Sequence, residues 1–188
     1  FDNTYSEITY FRRIASTNPL FGAVKCTGTA GGLGGTYSFW AGVFKSEADD
    51  QCYKAGQGYG NLWNVCIEHD FAYGGGLVTL GYQYKNDTET DFDYTFVYVD
   101  TSGNGDDVEV AAYTGISSGT ASHPLSPGTN LPQGPKPIKI KFCVYTDGAW
   151  SDQDGLNPTN CGAFAVDNIS VTGGGIAHTA DFEASSNG

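Results

Sequence analysis

The sequence has few basic residues and no long apolar segment. Its 188 residues include 9 lysines and arginines against 21 acidic residues, for a formal net charge of −12. Proteins that bind nucleic acid or dock on anionic membranes use basic patches, so this balance argues against both kinds of partner. No run reaches the roughly 18 apolar residues that a membrane-spanning helix requires, so we predict no membrane span.

The five cysteines lack the paired C-x₂-C spacing of a zinc ribbon. Dispersed cysteines favour an extracellular, secreted chain with two disulfides and one spare thiol, and reduced cysteines in a cytosolic protein are the alternative. Cys143 and Cys161 flank an acidic loop and are candidates for one bridge, and Cys52 and Cys66 for another. The pairing cannot be deduced from the sequence alone.

Helical periodicity is almost absent, whereas 27 glycines, 12 tyrosines and 11 phenylalanines are typical of short strands joined by many turns. Such strands, separated by glycine-rich and Asn-Asp turns, predict an all-β fold, namely an antiparallel two-sheet β-sandwich. The clearest strand-like alternation lies in five segments: Leu77–Tyr84, Tyr94–Val99, Val108–Tyr113, Ile138–Tyr145 and Ala163–Val171.

Two segments are less regular, Gly115–Lys136 and Phe21–Tyr59, and in the second a long glycine-rich loop precedes or follows a short aromatic strand. Gly115–Lys136 is rich in Ser, Pro and Gly, which predicts an irregular crossover from one sheet to the other. The run Gly173–Gly175 is typical of a linker at the end of a domain. We therefore predict one β-sandwich domain over residues 1–175 and a C-terminal tail over residues 176–188.

An acidic, glycine-hinged loop, Asp147–Gly155, comes shortly before a strand that carries its own carboxylate. Calcium binds about six to eight oxygen atoms, which separate loops must bring together. On these chemical grounds Asp152 and Asp154 are candidate Ca²⁺ ligands. A second acidic stretch supplies three more candidates: Glu89, Asp91 and Asp93.

Several motifs occur in an order that resembles the MAM-like jelly-roll modules of extracellular proteins, including those appended to immune-inhibitor-A-type bacterial metalloproteases. They are YGNLWN at 59–64, TETDFDY at 88–94, and the pair TDGAWSDQDG at 146–155 and GAFAVDNISV at 162–171. The resemblance implies a jelly-roll fold and a non-catalytic extracellular module. It covers most of Phe39–Val171.

A DFE motif, which resembles the one that opens the first strand of such modules, lies instead near the C-terminus, at 181–183. The tail is therefore the opening strand of a following repeat, or a strand that completes a sheet in its own domain or in a neighbouring copy. The resemblance also implies structural Ca²⁺, with Glu183 and Asp167 as ligands.

No catalytic constellation is recognisable, so we predict that the chain is not an enzyme. Glu68, His69 and Asp70 are consecutive, and neighbours on a strand point to opposite faces. No G-x-S-x-G nucleophile elbow occurs. Glycoside hydrolysis needs two opposed carboxylates, which Glu89 could supply together with Asp91 or Asp93.

Sugar-binding sandwiches use exposed aromatic rings as platforms, with acids or amides at the rim. The candidates here lie in or beside predicted loops: Trp40, Tyr53, Tyr59, Trp63 and Trp150. In a chain with 14% aromatic residues most rings belong to the core, and Trp150, between glycine and aspartate, is the least core-like.

Three functional classes fit these observations. The first is a Ca²⁺-stabilised module for adhesion or recognition of a glycan or protein surface. The second is a structural subunit or tandem repeat of an extracellular filament or layer, which self-associates through its C-terminal strand. The third is a secreted carbohydrate-active enzyme.

Overall fold

The computed structural model describes residues 2–3, 10–15, 33, 35, 37–102, 107–159 and 162–183. This part of the chain contains many strands and one short helix, and none of its helices is long and apolar enough to cross a bilayer. The elements are β1 (Asp2–Asn3), β2 (Phe11–Ala15), β3 (Tyr37–Ala41), α1 (Lys45–Asp50), β4 (Asn64–Tyr73), β5 (Val78–Asp87), β6 (Tyr94–Asp100), β7 (Asp107–Tyr113), β8 (Ile116–Leu125), β9 (Lys136–Tyr145), β10 (Phe164–Gly173) and β11 (Ile176–Ala180).

The strands form where apolar and polar residues alternate. In β5, Val78, Leu80 and Tyr82 are buried, whereas Thr79 between them is exposed. Successive side chains of a strand point to opposite faces, so this pattern buries one face of the sheet. The five strands that alternation predicts correspond to β5, β6, β7, β9 and β10, and these predictions are confirmed.

The strands are arranged in two antiparallel sheets. The first sheet has the order β1-β4-β9-β6-β7, and the second has the order β2-β3-β10-β5-β8 with β11 beside β10. The eight strands β3 to β10 thus form the four-stranded sets β4-β9-β6-β7 and β3-β10-β5-β8, which is the strand order of a jelly roll. The predicted all-β, two-sheet β-sandwich is confirmed.

A single hydrophobic cluster lies between the two sheets. Val97, Ile140 and Phe142 contribute to it from the first sheet, and Leu80 and Val166 from the second, all of them buried. Burying one such side chain stabilises the fold by about 1.5–3 kcal/mol. Because the inner faces hold the core, surfaces for ligands lie on the outer faces and at the two ends.

One strand, β8, lies in the segment that the sequence predicts to be an irregular crossover. It pairs with β5 along its whole length, from Ile116 opposite Asp87 to Leu125 opposite Val78. The predicted irregularity is wrong for residues 116–125, whereas the predicted crossing between sheets is confirmed, because β7 and β9 belong to the first sheet and β8 to the second. Pairing with a neighbouring strand outweighs the weak intrinsic strand preference of serine and glycine.

The hairpin of β10 and β11 contains the predicted domain boundary at residue 175. Ile176–Ala180 pairs with Ile169–Gly173 of the same chain. Phe182, just beyond, is buried, and its ring centroid lies 5.2 Å from that of Phe39. In this structure residues 176–183 thus complete the second sheet of their own chain. Residues 184–188 lie outside the described residues, and strand exchange with another copy stays a prediction.

A disulfide joins Cys66 of β4 to Cys143 of β9. The two residues are directly opposite each other in the antiparallel ladder. The candidate bridges Cys52–Cys66 and Cys143–Cys161 are therefore wrong, because Cys66 and Cys143 bond to each other and Cys52 is an exposed free thiol. Cys161 lies outside the described residues, so the structure describes no bond for it.

One end of the sandwich, called here the loop end, gathers residues 59–63, 88–93 and 146–157. These segments precede β4, connect β5 to β6, and follow β9. They meet because Tyr145, at the end of β9, lies opposite both Asn64 and Tyr94, at the starts of β4 and β6. The loop end therefore combines segments that are far apart in the sequence.

Candidate functional site

The structure separates the predicted aromatic platforms. The rings of Trp40, Tyr53, Tyr59 and Trp63 are buried, and in this structure they belong to the packed interior. Trp150, at the loop end, is 53% exposed. Of these five residues, Trp150 alone presents most of its ring to solvent.

The backbone of Trp150 is held in an unusual conformation. Its φ angle is 64°, in the left-handed region, which costs a residue with a side chain about 1–2 kcal/mol. Its N–H group donates to Oδ2 of Asp154 at 2.6 Å, and its carbonyl oxygen lies 3.2 Å from the Tyr59 hydroxyl, whose one hydrogen it shares as the more distant acceptor with Asp93. Both backbone polar groups thus have partners, so the backbone that carries the exposed indole is held in place.

Asp154 organises the turn around Trp150. Its carboxylate also accepts from the N–H groups of Ser151 at 3.2 Å and Leu156 at 2.9 Å, and from the Asn61 amide at 3.1 Å. Partial burial acts to raise the pKa of Asp154, but these hydrogen bonds outweigh it and lower the pKa. The residue is a predicted Ca²⁺ ligand, and in this structure its oxygen atoms cap a loop.

Tyr59 connects the three segments of the loop end. Its buried hydroxyl lies 2.7 Å from Oδ2 of Asp93, to which it donates. The same oxygen accepts from the Glu89 N–H at 3.0 Å and from the Asn157 amide at 3.1 Å. Burial, followed by the hydrogen bond to Asp93, raises the pKa of Tyr59, so the hydroxyl stays protonated and keeps its role as a donor.

Three carboxylates converge beside this hydroxyl. One oxygen atom from each of Glu89, Asp93 and Asp147 lies within 4.8 Å of the others. Among the described residues, this is the one group of three side chains close enough together to hold a metal ion. Asp93 is buried, and its Oδ1 accepts from the Asp147 N–H at 2.9 Å. Asp91, also a predicted ligand, is exposed and is not a member of the cluster.

Crowding of negative charge affects the protonation of this cluster. Burial raises the pKa of Glu89, and the neighbouring Asp93, Asp147 and Asp154 raise it further. Burial also raises the pKa of Asp93, although hydrogen bonds from Asp147 and Tyr59 oppose that effect. Glu89 and Asp93 therefore hold protons more tightly than isolated carboxyl groups do, and donors or a cation would relieve the repulsion within the cluster.

Asp152, another predicted ligand, is buried under the same loop. Its Oδ2 accepts from the Tyr59 N–H at 2.9 Å and the Thr159 hydroxyl at 2.6 Å, and its Oδ1 accepts from the Thr159 N–H at 2.8 Å. It also fills the space where a side chain at Gly58 would lie. These bonds tie residues 58–59 to the loop, and Asp152 is not a member of the carboxylate cluster.

The two ligands implied by the family resemblance lie elsewhere, beside β10. Asp167 is buried at the point where the pairing of β10 with β5 shifts register, and its Oδ1 accepts from the Asn168 N–H at 2.7 Å. Oε1 of Glu183 accepts from the Tyr37 N–H, at the start of β3, at 2.9 Å. Asp167 belongs to β10. Glu183 follows β11 and bonds to the start of β3, and both of these strands pair with β10.

A groove of about 320 Å³ adjoins the loop end. Trp63 and Tyr10 stack in its wall with ring centroids 4.2 Å apart, and Leu62 at its margin is exposed. The lining residues are Tyr10, Gln51, Tyr53, Asn61, Leu62, Trp63, Asn64, Val65 and Gln153. Sequence reasoning identifies only Tyr53 and Trp63 among them as candidates, because the others carry no motif and meet only in the fold.

A second aromatic surface runs along the outer face of the first sheet. The ring centroids of Tyr94 and Phe96, and of Phe96 and Tyr98, are 5.4 Å apart, and Tyr145 lies 5.6 Å from Phe96. All four are half-buried. The alternation of Tyr94, Phe96 and Tyr98 in the sequence predicts a strand, and it does not by itself indicate an aromatic surface.

Comparison with known proteins places the chain by its fold. No protein-family model matches the sequence, and no curated protein matches it either. Among solved structures, a family 61 carbohydrate-binding module in complex with β-1,4-galactotriose matches with a TM-score of 0.51 and 8% sequence identity, over 91% of this chain and 86% of that chain. The chain shares the β-sandwich fold of a carbohydrate-binding module.

A second solved structure is more distant. The enzymatically active domain of tailspike protein 4 from bacteriophage CBA120 matches with a TM-score of 0.41 and 14% identity, over 90% of this chain but 18% of that chain. At this level of similarity it carries no argument about the site. The resemblance to MAM-like modules rests on sequence motifs alone.

Proposed function

We propose that this chain is a non-catalytic carbohydrate-recognition module that binds a neutral glycan at its loop end. The observation that carries the proposal is the exposed Trp150, whose backbone is held by Asp154 and Tyr59 at the same end of the sandwich as the Glu89–Asp93–Asp147 cluster. A sugar ring has an apolar C–H face and polar hydroxyl groups. An aromatic ring binds the first and hydrogen-bond acceptors bind the second.

The indole supplies the apolar half of the site. The faces of an aromatic ring carry partial negative charge, so they attract the C–H groups on the flat side of a pyranose ring. Because the backbone that carries the ring is already held, less conformational entropy is lost when a ligand arrives. The strained backbone of Trp150 is therefore a stability cost that is offset by a pre-organised binding surface.

The carboxylates supply the polar half. Charged acceptors form stronger hydrogen bonds with hydroxyl groups than neutral acceptors do. Glu89 and Asp147 lie at the surface side of the cluster, whereas Asp93 is buried behind them. The same charges, on a chain with a net charge of −12, repel uronic acids and sulfated sugars, which favours neutral glycans.

The structural neighbour supports this class of ligand. That module was solved with β-1,4-galactotriose, so β-1,4-linked galactose oligosaccharides are the first ligands to test. We further propose that the module serves adhesion or recognition within a larger secreted or surface protein. The Cys66–Cys143 disulfide supports an oxidising, extracellular compartment.

Calorimetric titration with β-1,4-galactotriose and with its uronic-acid counterpart tests the proposal. We expect binding of the neutral sugar only, and a loss of at least about 30-fold in affinity for Trp150→Ala. The matched control is Leu77→Ala, which removes an exposed apolar side chain from the turn at the other end of the sandwich. Unchanged affinity in Trp150→Ala would show that the loop end is not the site.

The aromatic surface of the first sheet provides the competing location. Tyr98→Ala shortens it without touching the loop end. If this variant loses binding and Trp150→Ala retains it, the glycan binds on the sheet face and the assignment to the loop end is wrong.

We also propose that Ca²⁺ stabilises the module. The cluster of Glu89, Asp93 and Asp147 offers carboxylate oxygens close enough to share one ion, and Ca²⁺ prefers such oxygen ligands. Asp167 and Glu183 along β10 are the second location, supported by the burial of the Asp167 carboxylate. In either place the ion would balance crowded or buried negative charge, and the chain's own residues would bind and orient it.

Glycoside hydrolysis is the second candidate function, and the same cluster favours it. Retaining glycosidases use two carboxyl groups about 5–5.5 Å apart, one of them with a raised pKa as the general acid. Glu89 has a raised pKa and lies within 4.8 Å of Asp93 and Asp147, oxygen to oxygen. Release of reducing ends from the oligosaccharides that bind, abolished by Glu89→Gln, would establish this function in place of recognition alone.

A further inference from the structure

We infer that the groove beside Leu62 is a second sugar subsite, which binds one uncharged, hydroxyl-rich ring. The groove and the Trp150 surface together then bind an oligosaccharide. The inference rests on the proposed function and extends it, because the groove and the Trp150 surface share the loop end. Four properties of the groove carry it: the chemistry of its lining, its size, its rigidity and its continuity with Trp150.

The lining is uncharged in a chain with a net charge of −12. The sequence has 21 acidic and 9 basic residues, yet none of them lines this groove. Side-chain amides both donate and accept hydrogen bonds, as sugar hydroxyls do. A charged ligand would lose its hydration here without gaining a partner of opposite charge. The amides of the lining are those of Gln51, Asn61, Asn64 and Gln153, and its rings are those of Tyr10, Tyr53 and Trp63.

One acceptor in this lining lacks a partner. Oδ1 of Asn61 is buried and accepts no hydrogen bond from the described part of the chain. A buried acceptor without a donor costs about 1–3 kcal/mol. Asn61, a residue of the lining, therefore keeps one unused acceptor. The amide nitrogen of Asn61 is occupied, since it donates to the Gly148 carbonyl and to Asp154, both at 3.1 Å.

The size of the groove sets the length of what it binds. A volume of about 320 Å³ is at the small end of the range for ligand pockets. It suits a single ring and not a folded oligosaccharide. The groove therefore binds one ring of a longer ligand, and the other rings of that ligand lie outside it.

The groove is formed before any ligand arrives. The Trp63 N–H donates to the Thr146 hydroxyl at 2.7 Å, and the Asn61 N–H donates to Oε1 of Gln153 at 2.9 Å. Gly60 is enclosed by Tyr53, Trp63 and Gln153 so closely that a methyl group there would meet their polar atoms within 3 Å. A pre-formed site spends less binding energy on ordering its own side chains.

Asn61 and Leu62 connect the groove to Trp150. Asn61 lines the groove and also donates to Asp154, the carboxylate that fixes Trp150. Leu62 is 78% exposed at the margin, and its N–H donates to the Asp147 carbonyl at 2.7 Å. A ligand that touches both surfaces must cross Leu62, so more than one sugar ring is needed.

The test is calorimetric titration with galactose and with its β-1,4-linked di-, tri- and tetrasaccharides. We expect affinity to rise with chain length in the wild-type chain. In the double variant Gln51→Ala/Asn64→Ala we expect the longer sugars to lose about tenfold in affinity, as the loss of two hydrogen bonds implies, with the shortest sugar that binds unaffected. Both amides line the open groove and neither lies in the hydrophobic core, so the variant should remain folded.

A matched control and a second measurement keep the outcomes distinct. Gln133→Ala removes an exposed amide at the other end of the sandwich and should leave every affinity unchanged. Amide side-chain NMR signals of Asn61 and Gln153 should shift with the tetrasaccharide. If Trp150→Ala abolishes binding while the double variant matches wild type for all lengths and those signals stay fixed, the groove is not a subsite and the proposed function stands. If no sugar binds the wild-type chain, the proposed function itself fails.

Discussion

The Tyr59 hydroxyl donates to a carboxylate oxygen of Asp93 at 2.7 Å, and both residues are buried. This bond joins the segment before β4 to the segment before β6, and the same hydroxyl reaches the carbonyl of Trp150. The position of the exposed indole thus depends on a buried tyrosine 91 residues away in the sequence. Structural and functional roles at the loop end are therefore linked through one oxygen atom.

Replacing Tyr59 with phenylalanine should destabilise the fold by about 2–3 kcal/mol. Asp93 would lose a donor, and the Glu89 N–H and the Asn157 amide would lose an acceptor. Urea unfolding measures the change. Tyr98→Phe, at a partly exposed position on the first sheet, should stay within about 0.5 kcal/mol of wild type. Equal stability of the two variants would contradict the role given to Tyr59.

The stability contributed by Glu89 should fall as pH rises. Burial and the neighbouring acids hold its pKa above the usual value in the folded state, so the folded chain binds this proton more tightly than the unfolded chain does. That contribution is fully present below the unfolded pKa of about 4.3 and is lost as pH rises through the higher folded pKa.

Glu89→Gln should remove this contribution. Relative to wild type, and in Ca²⁺-free buffer so that no ion neutralises the cluster, the variant should gain stability between pH 4 and pH 7, measured by urea unfolding at each pH. Other titrating groups, including the histidines, are common to both chains and cancel in the difference. Asp91→Asn, in the same loop but outside the cluster, is the control. A wild-type-to-variant difference that does not change with pH would count against the crowded-carboxylate interpretation.

Removal of calcium should lower the melting temperature if the proposed ion is bound. A ligand specific to the folded state stabilises it in proportion to its occupancy. Melting with EDTA and with about 1 mM Ca²⁺ measures the effect, and no difference would refute the calcium proposal. Glu89→Gln and Glu183→Gln then separate the two locations, since only the variant that loses a ligand should lose the response.

The Cys66–Cys143 bond should stabilise the fold by about 2–5 kcal/mol. It closes a loop between two cysteines that are 77 residues apart, and a cross-link that closes a long loop restricts the unfolded chain most strongly. Unfolding of the double variant Cys66→Ser/Cys143→Ser gives the magnitude. Cys52→Ser, at an exposed free thiol, is the control and should be close to neutral. Loss of stability in the control instead would indicate a different pairing in solution.

Phe182→Ala should destabilise the chain by about 3–5 kcal/mol, because the side chain is buried against Phe39 after β11. Phe92→Ala removes the same ring from an exposed position and should cost far less. If the two variants are equally stable, the C-terminal strand is not docked in its own chain, and exchange between copies becomes the better interpretation.

Alternation alone is enough to predict several central strands, although not β4. It finds β5 and β9 because large apolar residues on their inner face alternate with mostly polar residues, and β6 because aromatic residues alternate with threonine and valine. It misses β8, whose serines and glycine give no period and whose strand state comes from ten paired positions on β5. Strand pairing depends on two segments, so it cannot be predicted from the residues of one segment alone.

The loop end can be predicted only in part. The glycine and aspartate neighbours of Trp150 predict that it is exposed, and it is. The same surroundings make Asp152 a candidate ligand, yet it is buried among backbone donors. A turn carboxylate that caps N–H groups and one that faces a ligand have the same local sequence, so only the fold distinguishes them.

The pairing of β10 with both β3 and β11 has a consequence for the rate of folding. One side of this strand pairs with β3 over its first half and with β11 over its second half, although Ala41 and Ile176 are far apart in the chain. The average contact in the second sheet is therefore distant in sequence, which predicts slow folding. Until Ile176–Ala180 has left the ribosome, half of a central strand has an open edge, a feature that invites aggregation. Folding of this sheet thus waits for the synthesis of residues 176–180.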